Sequence, residues 1–405
     1  MIQKNQELQV KSVDTEKYSL PVRYGSEMRV LVVGGGIAGL TFSALLQQRG
    51  FKPTLVERIP EYGSVGYVIV LWPSGSRILK GLGVYRNLLD VGLQFTTYNV
   101  SDQQGQMLHS YSVKNVTEKY GPMLSTYRPD LINVIKEAVD PSSIRMGTTV
   151  DKIDQTNDEV YVTFSDGTEE TYDLVVGCDG ARSQTRNMVF GDTPLSYSGM
   201  NGWSFWVKPN IAKTPYIAEY WGTGKFFGIW PTKGRLSVFT SIRSDEQGLD
   251  PVESRIDRIQ ENFKDFGGLV PQILEGLDDP HEIFHGFYND LKMKKWHKGR
   301  VVLVGDAAHA ILPTAGGGVS MAMESAAVLA DELCRADSKY IEQAFESYTT
   351  RRRSRVAKIQ DQSRMMGKYV FTDNPIVSSM RDFLMRFYSN KFHIRYWDTM
   401  LKEPI

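Results

Sequence analysis

Cysteine is scarce: Cys178 and Cys334 are the two thiols among 405 residues. Two thiols cannot build a disulfide framework, and no C-x-x-C pair offers zinc or thiol redox chemistry. A reducing compartment, the cytoplasm, is therefore expected. Charge of one sign is not in excess either, with Lys+Arg 47 against Asp+Glu 47. A chain without a basic field is not built to hold nucleic acid by its phosphates. Internal repeats and low-complexity tracts are missing. A content of 41% hydrophobic and 23% charged residues excludes a disordered or fibrous chain. Residues 1–27 set Lys4, Glu7, Lys11, Asp14 and Glu16 where a targeting peptide needs an apolar run. One long uncharged run exists, Val30 to Gln48, and it contains Gly34, Gly35, Gly36, Thr41 and Ser43. A strand, a tight turn and a buried helix explain it better than a membrane span of about 20 residues, so no integral membrane segment is expected.

The length suits roughly two to three domain-sized units. Three separated segments have α/β character. From Arg29 to Glu57 a β-branched run meets glycines, then a helical pattern (Ile37, Leu40, Ala44, Leu45), then a second strand. Asp173 to Arg186 and Arg300 to Leu333 are the others. Between them, Gly202 to Ile242 is rich in aromatics, with short strand-like runs separated by turn signals, and reads as an antiparallel sheet. Gln94 to Val100 and Met107 to Val113 are expected to join it. From Tyr348 onward the chain is helical and basic at Arg351, Arg352 and Arg353. The expected fold is α/β, with one domain interrupted twice by pieces of a sheet domain and followed by C-terminal helices.

The first segment carries Gly34-x-Gly36-x-x-Gly39. Gly34 allows a tight turn out of the strand, Gly36 lets a diphosphate approach the backbone, and Gly39 lets the helix pack on the sheet. The helix start at Ile37 and Ala38 offers free N–H groups and partial positive charge. Glu57 follows Gly34 by 23 residues, at the end of the next strand, where a carboxylate accepts from ribose hydroxyls. Arg58 beside it can pair with phosphate or stack on adenine. Together they read as a Rossmann-like dinucleotide site, against the alternative of a glycine-rich turn with no ligand. The motif does not choose between FAD and NAD.

The second segment is Asp173-Leu-Val-Val-Gly-Cys178-Asp179-Gly180-Ala181-Arg182-Ser183. The third is Gly299-Arg-Val-Val-Leu-Val-Gly305-Asp306-Ala-Ala-His309, followed by Pro313 and Gly316-Gly317-Gly318. With these three motifs in order, the chain after Glu27 resembles the single-component FAD-dependent aromatic hydroxylases, the family of para-hydroxybenzoate hydroxylase. Within it, the tetracycline-modifying monooxygenases and zeaxanthin epoxidase look like nearer relatives. The resemblance implies an FAD-binding domain of residues 28–92, 120–190 and 291–347. It implies a β-sheet substrate domain of 93–119 and 191–290, a C-terminal helical segment of 348–405 and an N-terminal extension of 1–27. It also implies that Asp306 holds the ribityl and diphosphate part of FAD, and that Pro313 to Gly318 lie along the flavin ring. The helix beginning near Val319 would point its positive end at N1 and C2=O, where charge develops on reduction. Arg128 matches the arginine that contacts FAD in such enzymes. Asp179 and Gly180 would lie near the diphosphate, against the alternative of a strand-end turn with Arg182 solvated. Where the family often has Gly-x-Asn, this chain has Gly318-Val319-Ser320, which puts a side-chain contact to the flavin edge in doubt. Glu324 fits the family's acidic position.

The activity implied is that of a class A flavoprotein monooxygenase. NADPH or NADH reduces FAD, O2 forms a C4a-hydroperoxide, and this hydroxylates or epoxidises an aromatic or polyketide-like small molecule. The alternatives are an FAD-dependent dehydrogenase or reductase without productive O2 use, and a non-catalytic flavin-binding protein. No second G-x-G-x-x-G is present, so NAD(P)H is expected as a transient co-substrate, and the halogenase pattern W-x-W-x-I-P is missing. No protein nucleophile is required, and a monomer or homodimer is expected. Trp203, Phe205, Tyr220, Phe227 and Trp230 could roof an apolar substrate pocket, or be the core of the sheet domain. His309 is a candidate acid or base, or a packed structural histidine. His109, His281, His285, His297 and His393 show no metal-ligand pattern.

Overall fold

A computed structural model describes residues 26–63, 66–245 and 247–402, so residues 1–25 of the expected N-terminal extension lie outside the described residues. Val30–Val33 is buried at every position, as befits a strand covered on both faces. It lies inside a six-stranded sheet of order His297–Lys298, Val301–Leu303, Leu174–Gly177, Val30–Val33, Thr54–Glu57, Ile144–Met146. The pairs are parallel except for the His297–Lys298 edge. Register aligns Val33 with Gly177 and Gly177 with Leu303. Three strands therefore end level, and the three glycine-bearing motifs leave the sheet at one edge. The helices Ile37–Gln47 and Gly318–Leu333 pack against each other over this sheet.

The second domain is a seven-stranded sheet in which Thr97–Asp102 and Met107–Ser112 join the strands between residues 196 and 290. It departs from the antiparallel expectation at one pair: Ile217–Trp221 runs parallel to Thr97–Asp102. These strands belong to separate insertions, and the intervening chain supplies the long crossover that a parallel pair needs. Gln94 also departs, because Leu93–Gln94 pairs with Leu124–Tyr127 in a separate three-stranded sheet completed by Val68–Leu71. One face of the large sheet packs under helices Arg255–Phe263 and Val270–Glu275, whose Ile259, Phe263, Val270, Ile273 and Leu274 form apolar stripes. The opposite face meets the loop after His309 and the C-terminal helices Ile341–Val370, Pro375–Met385 and Asn390–Leu401. The first of these runs unbroken through residue 348, the expected start of the helical segment. No helix among the described residues is long and apolar enough to cross a membrane.

The long helix is tied to the rest by an ionic cluster in the interior. Arg352 Nη1 donates to Glu324 Oε2 at 2.8 Å, and Arg355 donates from Nε at 2.7 Å and Nη2 at 3.0 Å. Arg355 Nη1 also donates to the Met400 carbonyl at 3.1 Å, which holds the last helix. Burial pushes the Glu324 carboxyl up, but the two guanidiniums outweigh it and hold it below the ordinary glutamate value. Its contribution to stability is therefore present at neutral pH and is lost as pH falls through the glutamate range. Glu324→Ala removes the buried carboxylate that Arg352 and Arg355 share, and is expected to cost about 3–5 kcal/mol. Urea denaturation at neutral pH checks this, and an unchanged midpoint would refute the cluster's role.

Candidate FAD site

The site begins where the three parallel strands end. Gly34 leaves the first strand at φ +104°, and its N–H donates to the Val56 carbonyl at 2.8 Å. A Cβ on Gly34 would sit 2.7 Å from the Cys178 carbonyl oxygen, and one on Gly39 2.0 Å from that of Gly34. Both glycines are therefore required by the protein's own packing. Gly36 is different, since a Cβ there would meet nothing within 4 Å. Beyond it, helix Ile37–Gln47 starts with no side-chain cap and no acid in its first turn. The N–H groups at Ile37 and Ala38 thus face open space at the positive end of a helix, which fits a diphosphate.

Glu57 closes this turn. Its Oε2 accepts from Gly35 N–H at 2.7 Å and its Oε1 from Ile59 N–H at 3.1 Å. A carboxylate has further lone pairs, so ribose hydroxyls can still be accepted. Arg58 is exposed. Tyr62, which sequence reasoning missed, donates to the Gly35 carbonyl at 2.7 Å.

Asp179 is engaged locally: its carboxylate accepts from Ser183 Oγ and, at 3.0 Å, from Thr185 N–H at the start of helix Gln184–Phe190. Arg182 is exposed. Gly180 opens on empty space at φ +79°. Arg186 was also missed. Buried, it donates to the carbonyls of Ala181 at 2.9 Å and Ala307 at 3.2 Å, joining the second motif to the third.

Asp306 follows Gly305, whose φ is +65°. Among the described residues its carboxylate accepts no hydrogen bond, and it remains accessible. The recess that holds it still strips enough water to raise its carboxyl, while Arg128 pulls the other way. Arg128, at the start of helix Arg128–Lys136, thus acts on the same space as Asp306. Pro313 is exposed, and Gly316 adopts the left-handed conformation at φ +63°. Gly317 packs so closely on Trp72 that a Cβ would lie 2.7 Å from its ring. Gly318 opens on empty space, and Val319 is half-buried in the first turn of its helix. Ser320 points elsewhere: its buried Oγ accepts from Trp72 N–H at 2.9 Å. The departure from Gly-x-Asn thus serves packing.

His309 is 2% exposed, bonded to Ser325 Oγ at 3.0 Å and packed on Trp296. Burial, then Arg352, push its imidazole down to about 3, and its setting matches the packed structural alternative. The aromatic roof also needs correction. Trp203, Phe205, Tyr220 and Phe227 lie in the core beneath the two helices. Of the five, Trp230 alone faces the C-terminal helices. Successive strand residues alternate faces, and a list of aromatics ignores that parity.

The FAD binding domain family matches residues 27–363. The 2-heptyl-3-hydroxy-4(1H)-quinolone synthase of Pseudomonas aeruginosa is 30% identical over 366 residues, 90% of this chain and 95% of that protein. The aurachin C monooxygenase/isomerase of Stigmatella aurantiaca is 28% identical over the same shares of both chains. Among solved structures, Klebsiella pneumoniae HpxO complexed with FAD and uric acid superposes with a TM-score of 0.86, at 24% identity, over 94% of this chain and 99% of that one. This last likeness is one of fold.

The glycine geometry separates packing from ligand space. Gly39→Ala is expected to cost about 1–3 kcal/mol by overpacking, whereas Gly36→Ala leaves apoprotein stability near wild type. Thermal denaturation of the two apoproteins checks this, and equal losses would contradict the open cradle.

Proposed function

The chain belongs to the FAD binding domain family, and from that premise we propose that it is a flavin-dependent monooxygenase acting on a flat, N–H-bearing heteroaromatic of the quinolone kind. The observation that carries the reading is the convergence of three motifs at one sheet edge, with open space at Gly36 and Gly318. The substrate class is supported by the quinolone in the name of a 30% identical relative. Bound FAD, reduced by NADPH or NADH, supplies the chemistry by which one oxygen atom of O2 reaches the substrate ring.

The chain's own residues bind, orient and shield. Gly36, Ile37 and Ala38 present the diphosphate with uncapped N–H groups, and Glu57 accepts from the adenosine ribose, with Arg58 at its rim. Arg128 and Asp306 take the polar middle of the cofactor, and the backbone at Asp179 and Gly180 borders it. Pro313, Gly316, Gly317 and Gly318 would line the ring, and the helix start at Val319 would offer it partial positive charge where negative charge develops on reduction. The face of the seven-stranded sheet that carries Trp230 forms the apolar wall, excluding water from the transfer. NAD(P)H docks transiently on the same domain, a reading supported by the four sheets of the described residues, of which one has consecutive parallel strands.

Asp306→Ala is expected to weaken FAD binding about tenfold or more, since a charge-assisted bond contributes about 1.5–3 kcal/mol. Flavin fluorescence on folded apoprotein measures it, and an unchanged constant would leave Asp306 as an acid in the first turn of helix Asp306–His309 with no part in holding the cofactor. For the activity, 4(1H)-quinolones are expected to stimulate NAD(P)H oxidation by the FAD-loaded enzyme, with one oxygen atom gained by the product. NAD(P)H oxidation coupled to substrate conversion without oxygen incorporation would favour the dehydrogenase or reductase instead.

A further inference from the structure

A carboxyl that no role described so far uses stands on the Trp230 face of the large sheet. Glu219 lies mid-strand, opposite Val100 on one side and Gly228 on the other. Ala218 and Tyr220 beside it pack under the helices, so alternation turns Glu219 to the opposite face with Ile217 and Trp221. Trp221 Nε1–H donates to Glu219 Oε2 at 3.0 Å. The other oxygen has no partner among the described residues. The Trp230 ring lies across Gly228, where a Cβ would come within 2.1 Å of it, and so flanks the carboxyl. Tyr98 and Tyr111 stack at 5.0 Å, close enough to feel Glu219. Trp230 and Tyr111 also share clusters with Ile311 and Leu312, which lead into the Pro313–Gly318 loop.

Both Glu219 and Trp230 keep some accessible surface although they lie on the sheet face that the C-terminal helices cover. Burial raises the Glu219 carboxyl to about 7, and the Trp221 bond pulls it down. A structural carboxyl in an aromatic setting is costly unless its oxygens are satisfied. Here one is satisfied and the other has no protein partner among the described residues, on a face that carries flat aromatic rings.

We propose that Glu219 recognises the substrate, accepting a hydrogen bond from the ring N–H or O–H of a flat aromatic ligand lodged beside Trp230 and Tyr111. The role rests on the monooxygenase reading for its substrate class. It explains how an apolar cavity prefers a ring that carries a donor, because a ligand without one leaves a buried carboxylate unpaired.

The pH dependence has a clear source. On its own strand and the adjoining one, Asp102 pairs with Arg386 at 3.8 Å. Tyr98 and Tyr111 are raised by burial first and by Glu219, and remain neutral. His109 and His393 lie beyond Tyr111, and burial pushes both down, His393 to about 4. From the C-terminal helices come Tyr396, raised to about 12 by burial, Tyr369 on Trp221, likewise raised, and Arg381 over the Trp221 ring. Glu219 is left as the group that titrates near neutrality, and its charged form is the stronger acceptor. Affinity for a donor ligand is thus retained above about 7 and falls below it.

The test uses FAD-loaded enzyme with 2-heptyl-4(1H)-quinolone and its N-methyl analogue, read by quenching of tryptophan fluorescence between pH 6 and pH 8.5. The N–H compound is expected to bind about tenfold tighter than the analogue at high pH, a margin that shrinks toward pH 6. In Glu219→Gln the margin is expected to lose its pH dependence and most of its size, with FAD content unchanged. Equal binding of the two quinolones at every pH overturns the proposal, as does an unchanged margin in the variant, or binding of neither compound. If Glu219→Gln does not fold, the wild-type comparison decides alone. Quinolone binding with this pattern but without NAD(P)H oxidation would refute the monooxygenase reading and leave the carboxylate's role standing. Turnover that ignores Glu219 would do the reverse.

Discussion

Helix Ile37–Gln47 sits so close to the strand before it that there is room for no side chain between Gly39 and the Gly34 carbonyl. That contact sets the position of the helix over the parallel sheet, and helix Gly318–Leu333 packs in turn on the first. Because the two helices are locked together, their starts are held at the same sheet edge, with the turn of Asp179 and the recess of Asp306 between adjoining strands. The open space at Gly36 and Gly318 is what remains when the packing contacts at Gly34, Gly39 and Gly317 are satisfied. A ligand site here is thus a by-product of backbone proximity, and only secondarily a collection of side chains.

This explains which parts were readable from sequence. The turn around Gly34 demands a residue without Cβ at given spacing, so its requirement is written locally, and the strand, turn and helix all follow. The sheet domain's existence was equally plain from its aromatic strands. Which way those aromatics face was not, because Trp203 and Trp206 differ only in parity, and parity has meaning once a cover is known. The parallel pairing of Ile217–Trp221 with Thr97–Asp102 joins segments far apart in the chain and leaves no local mark. Arg186 was hidden for the same reason: nothing near it tells that Ala181 and Ala307 will meet above its guanidinium. Ser320 had been noticed as a departure, but its partner, the Trp72 amide, lies on a different element. Asp306 could be read because it directly follows Gly305 in the third motif, where the resemblance to the FAD-dependent hydroxylases implies an FAD contact.

The interior makes an unusual choice in joining its halves by charge. Glu324, Arg352 and Arg355 occupy space that aliphatic residues could fill, at a desolvation cost that their mutual attraction must offset. What the ions add is direction. Apolar side chains tolerate sliding, whereas forked guanidiniums accept few geometries. The long helix is thereby held in one register against the helix that starts at Gly318, and through Met400 the last helix is fixed as well. Since Tyr396 and Trp397 of that helix close one side of the Trp230 face, the shape of the apolar wall is governed from the ionic cluster.

The open glycines also link ligand binding to the stability of the folded chain. Gly36 and Gly318 lie far apart in sequence, and folding brings their two helices together, so a molecule that fills both spaces binds the folded chain and has no counterpart in the unfolded one. Mass action then adds about 1.4 kcal/mol to the folded state for each tenfold rise in free ligand beyond its dissociation constant. Proteolysis samples the unfolded fraction, so a ligand that fills both spaces would protect the chain as its concentration rises.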